Sequence, residues 1–358
     1  MTLILGLDIG GANTKAALLH FKDKSIYEFY SYIEYFPFWE KNIKEIPEML
    51  IRINENLCVK NCFDLKMVDN IAITITAELS DAFQTKKEGI LLILDALEKV
   101  FDKEKLRFIT NTSKFITYDM AKHNYYSIAG ANWASTALFL GNFTPKCILI
   151  DAGSTTIDII PILNSVAIPQ GKDDISRLIN HELIYTGGLR ATITSITHHV
   201  PYKGHNIRVS FEKFALISDV HRILNNISEE EYINDTADNR SKTIENCYAR
   251  LSRVICMDFE TILKEDLDLI ANYIYQKQLD IITREIRAFM DNLTTKFKEF
   301  DNNSKFVITG LSADFLIRKP LQDLGYTNII NYKEITNIPD NITSSAFAVA
   351  GALFKQIY

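Results

Sequence analysis

The chain has 358 residues, a formal net charge of −6 and 47% hydrophobic residues, which is enough for two domains with their own cores. This acidic balance excludes the basic footprint of a nucleic-acid-binding protein. The amino terminus lacks the pattern of a secretory signal and no apolar run reaches the length of a membrane span, so we expect a soluble, cytoplasmic protein.

The first predicted element is a strand–turn–strand unit at the start of the chain. Leu3–Ile9 and Ala16–His20 are short apolar runs, and such runs bounded by glycine are typical of buried strands. The polar residues of the turn and its flanks are Asp8, Gly10, Gly11, Asn13, Thr14 and Lys15. Glycine permits the backbone conformation and close approach that a phosphate-cradling loop requires, so this turn is a candidate anion site.

A buried strand is next predicted over Asn70–Thr76, followed by a polar loop. Functional groups in α/β folds are often presented at the carboxyl ends of strands. The candidates in this loop are Glu78, Asp81, Lys86 and Lys87. The two lysines, with Glu88, equally fit the solvated start of the amphipathic helix predicted over Gly89–Phe101.

Small residues surround one large aromatic residue in the stretch from Ser127 to Gly141. The pattern is compatible with a close-packed helix in which Trp133 is ordinary core. It is also compatible with a substrate contact by Asn132 and Trp133, and the residues alone do not decide between these interpretations.

The pattern of the first turn recurs between the apolar runs Cys147–Ile150 and Ile157–Leu163. Its polar residues are Asp151, Gly153, Ser154, Thr155, Thr156 and Asp158. Asp8 matches Asp151 and Gly10 matches Gly153. Two copies indicate two similar domains that face each other across a cleft, each sending a hairpin to the same anion. Asp151 is a candidate ligand for a divalent cation on that anion.

Two further glycine-bearing stretches follow. Gly187 and Gly188 precede Arg190, whose guanidinium is suited to phosphate or carboxylate oxygens; the two glycines equally fit a helix C-cap. Phe306–Ala313 is an apolar run that ends in Gly310 and Leu311.

The five cysteines are an odd number without Cys-x-x-Cys spacing, and we expect ordinary reduced thiols. They are Cys58, Cys62, Cys147, Cys247 and Cys256.

The two turns resemble the phosphate-1 and phosphate-2 loops of the superfamily of sugar kinases, heat-shock ATPases and actin, and Phe306–Ala313 stands where its adenosine loop is expected. The resemblance implies an α/β fold of two actin-like (ribonuclease-H-like) domains facing across a cleft. The first would be 1–140 plus a C-terminal helix over 344–358, and the second 141–343 with a helical insert at about 200–300. Nucleotide-binding members generally have two adjacent glycines at the adenosine; here Leu311 follows Gly310, which disfavours a nucleoside.

Longer peptides resemble the archaeal branch of the hydantoinase-A-like group. They are Gly6–Lys15, Thr76–Ser80 with Thr85–Gly89, Ala131–Trp133, Asp151–Thr156 with Asp158–Ile162, and Arg250–Cys256. That branch contains the methanofuran-biosynthesis synthases, which join (5-(aminomethyl)furan-3-yl)methyl diphosphate to γ-glutamyltyramine. The resemblance implies a transferase that acts on these small molecules and releases diphosphate.

This chemistry assigns roles to the candidate residues. Asp8, Asp151 and Asp158 would hold Mg²⁺, Lys15 and the turn N–H groups would hold the diphosphate, and Glu78 would take the phenol proton. Further substrate contacts are expected from Lys86, Asn132, Trp133, Arg190 and Gly310. The alternatives are an ATP-dependent small-molecule kinase and a non-catalytic or filament-forming member. The sequence leaves open whether the chain forms a homo-oligomer.

Overall fold

A computed structural model describes residues 2–23, 25–57, 59–338 and 343–358. The chain divides into two units. The first comprises Met1–Cys147, Ile160–Ser176 and Tyr332–Tyr358, and the second comprises Ile148–Ile159 and Arg177–Asn331.

Of the five cysteines, Cys58 lies outside the described residues. The other four form no disulfide within the described residues; Cys147 and Cys247 are buried, and Cys62 and Cys256 are exposed.

The central strands of the two sheets follow the apolar runs of the sequence. In chain order they are β1 (Thr2–Ile9), β2 (Asn13–Lys22), β3 (Ser25–Tyr35), β4 (Asn70–Ile75), β5 (Leu106–Ile109), β6 (Phe115–Thr117), β7 (Lys146–Ala152), β8 (Ile157–Leu163), β9 (Val166–Ala167), β10 (Leu183–Ile184), β11 (His199–Tyr202), β12 (His205–Arg208), β13 (Phe306–Thr309) and β14 (Ile329–Asn331).

The helices carry the 3.6-residue periodicity. In chain order they are α1 (Ile46–Leu57), α2 (Lys86–Val100), α3 (Tyr118–His123), α4 (Asn132–Gly141), α5 (Asp174–Ile179), α6 (Ile193–Ile196), α7 (Ile217–Ile223), α8 (Ile244–Arg253), α9 (Lys264–Lys296), α10 (Ala313–Leu316), α11 (Arg318–Asp323), α12 (Tyr332–Thr336) and α13 (Ser344–Ile357).

The first sheet has the strand order β3-β2-β1-β4-β5-β6. The pairs β1–β2 and β2–β3 are antiparallel, whereas β1–β4 and β4–β5 are parallel. All six residues of β4 are buried, as expected for a central strand covered on both faces. The helix α13 returns to this sheet and packs against β1, β2 and α4.

The second sheet repeats that arrangement with the order β10-β8-β7-β13-β14. The pair β10–β8 is antiparallel, and β7–β13 and β13–β14 are parallel. The strands β7, β8, β10, β13 and β14 therefore correspond to β1, β2, β3, β4 and β5. This duplication confirms the predicted α/β fold class with two actin-like domains. The facing of the two domains across a cleft and their predicted bounds remain predictions.

The helices α7, α8 and α9 form a separate apolar cluster in the second unit, together with the β11–β12 hairpin. Leu311 packs against this cluster as a partly buried side chain. Helices with the length and apolar character required to span a bilayer were sought among the described residues, and none is present.

Candidate functional site

The first turn is closed by a hydrogen bond from the backbone N–H of Gly10 to the carbonyl of Asn13 at 3.1 Å. The carbonyl of Gly11 accepts the backbone N–H of Phe38 at 3.0 Å, and the carbonyl of Ala12 accepts that of Phe36 at 2.9 Å. The N–H groups of the two central turn residues, Gly11 and Ala12, donate no hydrogen bond within the described part of the chain. The carbonyl side of the turn is therefore satisfied by protein, and its donors remain available to an anion.

The second turn has the same construction. The N–H of Gly153 donates to the carbonyl of Thr156 at 2.9 Å, and the carbonyls of Gly153, Ser154 and Thr155 accept N–H groups from residues 187–190. The N–H groups of Ser154 and Thr155 have no acceptor among the residues that the structure describes. The predicted match of Gly10 with Gly153 is thus found in the hydrogen bonding of both turns.

Gly187 is a glycine because two backbones meet there. A Cβ at this position would lie 2.6 Å from the oxygen of Gly153 and from the nitrogen of Thr155. The glycines before Arg190 thus allow the chain to pack on the second turn. The side chain of Arg190 is exposed, and its contact with a ligand remains a prediction.

Asp8 is 5% exposed, and its two carboxylate oxygens differ in their contacts. Its Oδ2 accepts the hydroxyl of Ser345 at 2.5 Å and lies 3.8 Å from Lys15 Nζ, because Lys15 is opposite Asp8 in the β1–β2 ladder. Its Oδ1 is buried and has no hydrogen-bond partner among the described residues. Oδ1 can therefore accept a hydrogen bond or bind a cation.

Asp151 has the position in β7 that Asp8 has in β1. Asp8 is in register with Thr74 of the neighbouring parallel strand, and Asp151 is in register with Thr309. A Cβ on Gly310 would lie 2.7 Å from Asp151 Oδ1, and Gly310 has a φ of +94°. Glycine is thus required at 310 so that this loop can close over the end of β7.

Asp158 forms a buried ion pair. Arg177 Nη1 lies 2.7 Å from its Oδ1, and Arg177 Nη2 donates to the carbonyl of Glu182 at 3.0 Å. The side chain of Arg177 is 2% exposed. This ion pair gives Asp158 a structural role, and its predicted part in metal binding is a proposal for experiment.

Glu78 belongs to a charged cluster at the end of β4. Lys86 Nζ lies 2.9 Å from Asp174 Oδ2, and a Cβ on Gly130 would lie 3.5 Å from Asp174 Oδ1 and 3.6 Å from Glu78 Oε1. Glu78 is 2% exposed, and its buried Oε2 has no hydrogen-bond partner in the part of the chain that the structure describes. Burial raises the pKa of Glu78 to about 7; the charge of Lys86 lowers it and that of Asp174 raises it.

The remaining predicted residues lie at element ends or in the core. Thr14 and Trp133 are buried, with exposures of 0% and 2%, and the hydroxyl of Thr14 has no hydrogen-bond partner. Asn132 is half-buried at the first position of α4, and its carbonyl accepts the hydroxyl of Ser135. These positions leave a substrate contact open for Asn132.

Sequence reasoning did not identify Asp174 and Ser345. Asp174 is the first residue of the short helix α5 and ends a Lys-Asp-Asp run, which has the composition of a surface loop. Ser345 is 337 residues from Asp8, its partner, and lies on an apolar helix. The local sequence carries no signal for that contact.

The carboxylates of the two turns are the candidate ligands for a divalent cation. No group of three or more His, Cys, Asp or Glu side chains suited to a metal occurs in residues 2–23, 25–57, 59–338 and 343–358. Mg²⁺ bound to a phosphate ester commonly uses one or two carboxylates, with water and phosphate oxygens as its other ligands. The unpartnered Oδ1 of Asp8 fits that mode of binding.

Comparisons with known proteins agree with this architecture. The family model described as hydantoinase/oxoprolinase matches residues 69–357. A protein of Methanocaldococcus jannaschii is 37% identical over 99% of this chain and 98% of its own length. It is named (4-{4-[2-(gamma-L-glutamylamino)ethyl]phenoxymethyl}furan-2-yl)methanamine synthase. A protein of the same name from Methanococcus vannielii is 32% identical over 60% of this chain and 94% of its own length.

Among solved structures, nucleotide-free acetone carboxylase aligns with a TM-score of 0.52 at 11% identity. The alignment covers 98% of this chain and 70% of that one. At this identity the likeness concerns the fold alone.

Proposed function

Because the chain belongs to the hydantoinase/oxoprolinase family, whose model matches residues 69–357, we propose that it is a synthase of the methanofuran pathway. It would join (5-(aminomethyl)furan-3-yl)methyl diphosphate to γ-glutamyltyramine. The observation that carries this proposal is the 37% identity to the M. jannaschii synthase over 99% of the chain. The name of that relative describes the ether product of this reaction.

The proposed step is an alkyl transfer from diphosphate to a phenol. The phenol oxygen of the tyramine forms a bond to the furan methylene carbon, and the bond from that carbon to the diphosphate oxygen breaks. The electron pair leaves with the diphosphate and the phenol proton passes to a base. A methylene carbon attached to furan tolerates positive charge, so the enzyme must mainly stabilise the departing anion.

The two turns supply donors for that anion. In each turn the carbonyl groups are bonded to neighbouring backbone, and the central N–H groups have no acceptor within the described residues. Lys15 adds a side-chain ammonium that is 29% exposed beside the first turn. Fixed N–H dipoles and a cation at a developing negative charge lower the barrier without reorganisation during the reaction.

Asp8 and Asp151 would hold a Mg²⁺ ion. The buried and unpartnered Oδ1 of Asp8 supports this assignment, since an isolated carboxylate oxygen in the interior is otherwise unfavourable. When bound, the ion would neutralise charge on the diphosphate. Lys15 would then separate the carboxylate of Asp8 from the phosphate oxygens and limit their repulsion.

Glu78 is the proposed base for the phenol. An unperturbed phenol has a pKa near 10, and a base whose own pKa lies near the working pH is the most effective. Burial raises the pKa of Glu78 to about 7, which meets that condition. Its unpartnered Oε2 has the capacity to accept the proton. The proposal includes a cytoplasmic location, because both substrates are charged small molecules.

The test is a reconstitution with defined substrates. The protein is incubated with the furan-methyl diphosphate, γ-glutamyltyramine and Mg²⁺, and diphosphate release and the ether product are followed by enzymatic assay and mass spectrometry. Equimolar diphosphate and ether are expected. A parallel reaction with ATP and γ-glutamyltyramine tests for a kinase. Phosphorylated product there, with no ether in the first reaction, would replace this proposal with the kinase.

A further inference from the structure

The helical part of the second unit contains a groove of about 580 Å³ that has no role in the chemistry above. It lies at the carboxyl end of α8 and along the segment that follows this helix. Three charged side chains line it: Arg240, Arg253 and Asp258.

The rest of the groove wall is largely apolar. Phe214, Met257 and Phe259 contribute to it, and the ring of Phe259 is stacked on Tyr248 with an interplanar angle of 10°. A groove with two guanidinium groups, one carboxylate and aromatic walls matches a small molecule that carries an α-amino acid at one end and an apolar stem.

Arg240 is the charged residue of this groove whose side chain has no ion-pair or hydrogen-bond partner among the described residues. Its backbone is fixed, since its N–H donates to Asp238 Oδ1 at 3.2 Å and its carbonyl accepts the hydroxyl of Thr236 at 2.8 Å. No ion pair or hydrogen bond of its guanidinium occurs within the described ranges. The loop thus presents an exposed, unpaired guanidinium from a defined backbone position.

A buried ionic network holds that loop against α8. Asp238 accepts from Arg250 at 3.1 Å and from Arg253 at 2.6 Å. Arg250 also pairs with Asp219 at 2.8 Å, and both of these side chains are 0% exposed. Buried ion pairs add little net stability compared with apolar packing, so their effect here is to fix geometry. The geometry that they fix is that of the two groove arginines.

We propose that this groove binds the α-amino-acid end of the γ-glutamyl acceptor. Arg240 and Arg253 bind its carboxylate, Asp258 binds its ammonium group, and the aromatic wall covers the methylene stem. This assignment rests on the proposed function for the identity of the acceptor. It gives the helical block a function as the specificity element for the glutamyl group.

The groove and the second turn lie within reach of one another in the same unit. Arg190 donates its N–H to the carbonyl of Ser154, Thr192 pairs with Leu216 in an isolated bridge, and Phe214 is two residues from Leu216. This path limits the separation to roughly 25 Å at about 3.5 Å per residue. A diphosphate, a furan methylene and an extended γ-glutamyltyramine together span about 20 Å by the same bond dimensions.

The test compares acceptors with and without the glutamyl group. Binding of γ-glutamyltyramine and of tyramine is measured by calorimetry with Mg²⁺ and inorganic diphosphate present, for the wild type, Arg240→Gln and Arg240→Lys. Arg208→Gln is the matched control, because Arg208 is an exposed arginine of the same unit outside the groove. For Arg240→Gln we expect γ-glutamyltyramine to bind about 10- to 100-fold more weakly, with an intermediate loss for Arg240→Lys. Tyramine binding should not change.

Steady-state kinetics then separate the two proposals. With Arg240→Gln the KM for γ-glutamyltyramine should rise while kcat stays near the wild-type value. An unchanged KM and Kd, or an equal loss for tyramine, would overturn the groove assignment while ether formation by the wild type still stands. The opposite result is also informative. If the wild type forms no ether but its binding of γ-glutamyltyramine depends on Arg240, the proposed reaction is overturned and the groove assignment still stands.

Discussion

Lys86 Nζ lies 2.9 Å from Asp174 Oδ2, and these two charges act on the pKa of Glu78 in opposite directions. Asp174→Asn removes a negative charge and should lower the pKa of Glu78. Lys86→Met removes a positive charge and should raise it. The acidic limb of the pH profile of kcat/KM is expected to move to lower pH in the first variant and to higher pH in the second.

These two variants control for each other, because both break the same ion pair. If losing the pair had only a structural effect, both variants would show a changed rate, but the acidic limbs of their pH profiles would have the same midpoint. Midpoints that fail to separate would contradict the proposed electrostatic coupling to Glu78.

Glu78→Gln should reduce turnover about 10²- to 10⁴-fold, the usual contribution of a positioned general base. The pH dependence near 7 should disappear at the same time, because burial raises the pKa of this carboxyl to about 7. Asp81→Asn is the control, since Asp81 is an exposed acid in the same loop. Near-normal turnover of Glu78→Gln across the pH range would remove Glu78 from the mechanism.

The same substitution should change how stability depends on pH. The pKa of Glu78 is about 7 in the folded chain and 4.5 as its ordinary value, so the folded state binds this proton more tightly. Its contribution to stability is full below pH 4.5 and is lost as the pH rises through 7. The loss is of order 3 kcal/mol. Urea unfolding should therefore show Glu78→Gln gaining stability relative to wild type between pH 5 and pH 8; a constant difference would contradict the buried, neutral carboxyl.

The sequence and the structure agree most closely where the chemistry is local. Both turns were predictable because glycine, the flanking apolar runs and the acid at each strand end lie within a few residues. The partners of Asp8 and Glu78 depend on topology: α13 brings Ser345 to β1, and the start of α5 brings Asp174 to Lys86. Such contacts follow from strand order and helix packing, which no single segment encodes.

Asp158 is another residue whose partner the local sequence does not predict, and its role can be tested. Its sequence position predicts a part in metal binding, whereas its carboxylate lies 2.7 Å from the buried guanidinium of Arg177. Asp158→Asn removes the carboxylate that lies against this guanidinium and should lower the free energy of unfolding by about 3–5 kcal/mol. The double variant Asp158→Leu with Arg177→Met should recover most of this loss in urea unfolding. A stable Asp158→Asn protein that has lost Mg²⁺-dependent turnover would instead support the metal role.

Asp8→Asn tests the cation assignment through binding as well as activity. The wild-type carboxylate is shared between Lys15 at 3.8 Å, Ser345 at 2.5 Å and the proposed Mg²⁺ at its unpartnered oxygen. Asparagine retains the shape and the hydrogen-bonding capacity toward Ser345 but removes the negative charge. The half-saturating Mg²⁺ concentration for turnover should rise at least about tenfold, the range seen when a charged partner is lost.

In EDTA the effect of this variant should reverse. Without Mg²⁺ the carboxylate of Asp8 repels diphosphate and competes for Lys15, so Asp8→Asn should bind inorganic diphosphate more tightly than the wild type does. With Mg²⁺ the order should invert, because the carboxylate of the wild type would hold the ion, and the charge of the ion would offset that of the diphosphate. Calorimetry under the two conditions measures this inversion. Diphosphate affinities that keep the same order with and without Mg²⁺ would rule out Asp8 as a ligand and leave its carboxylate as the counter-ion of Lys15.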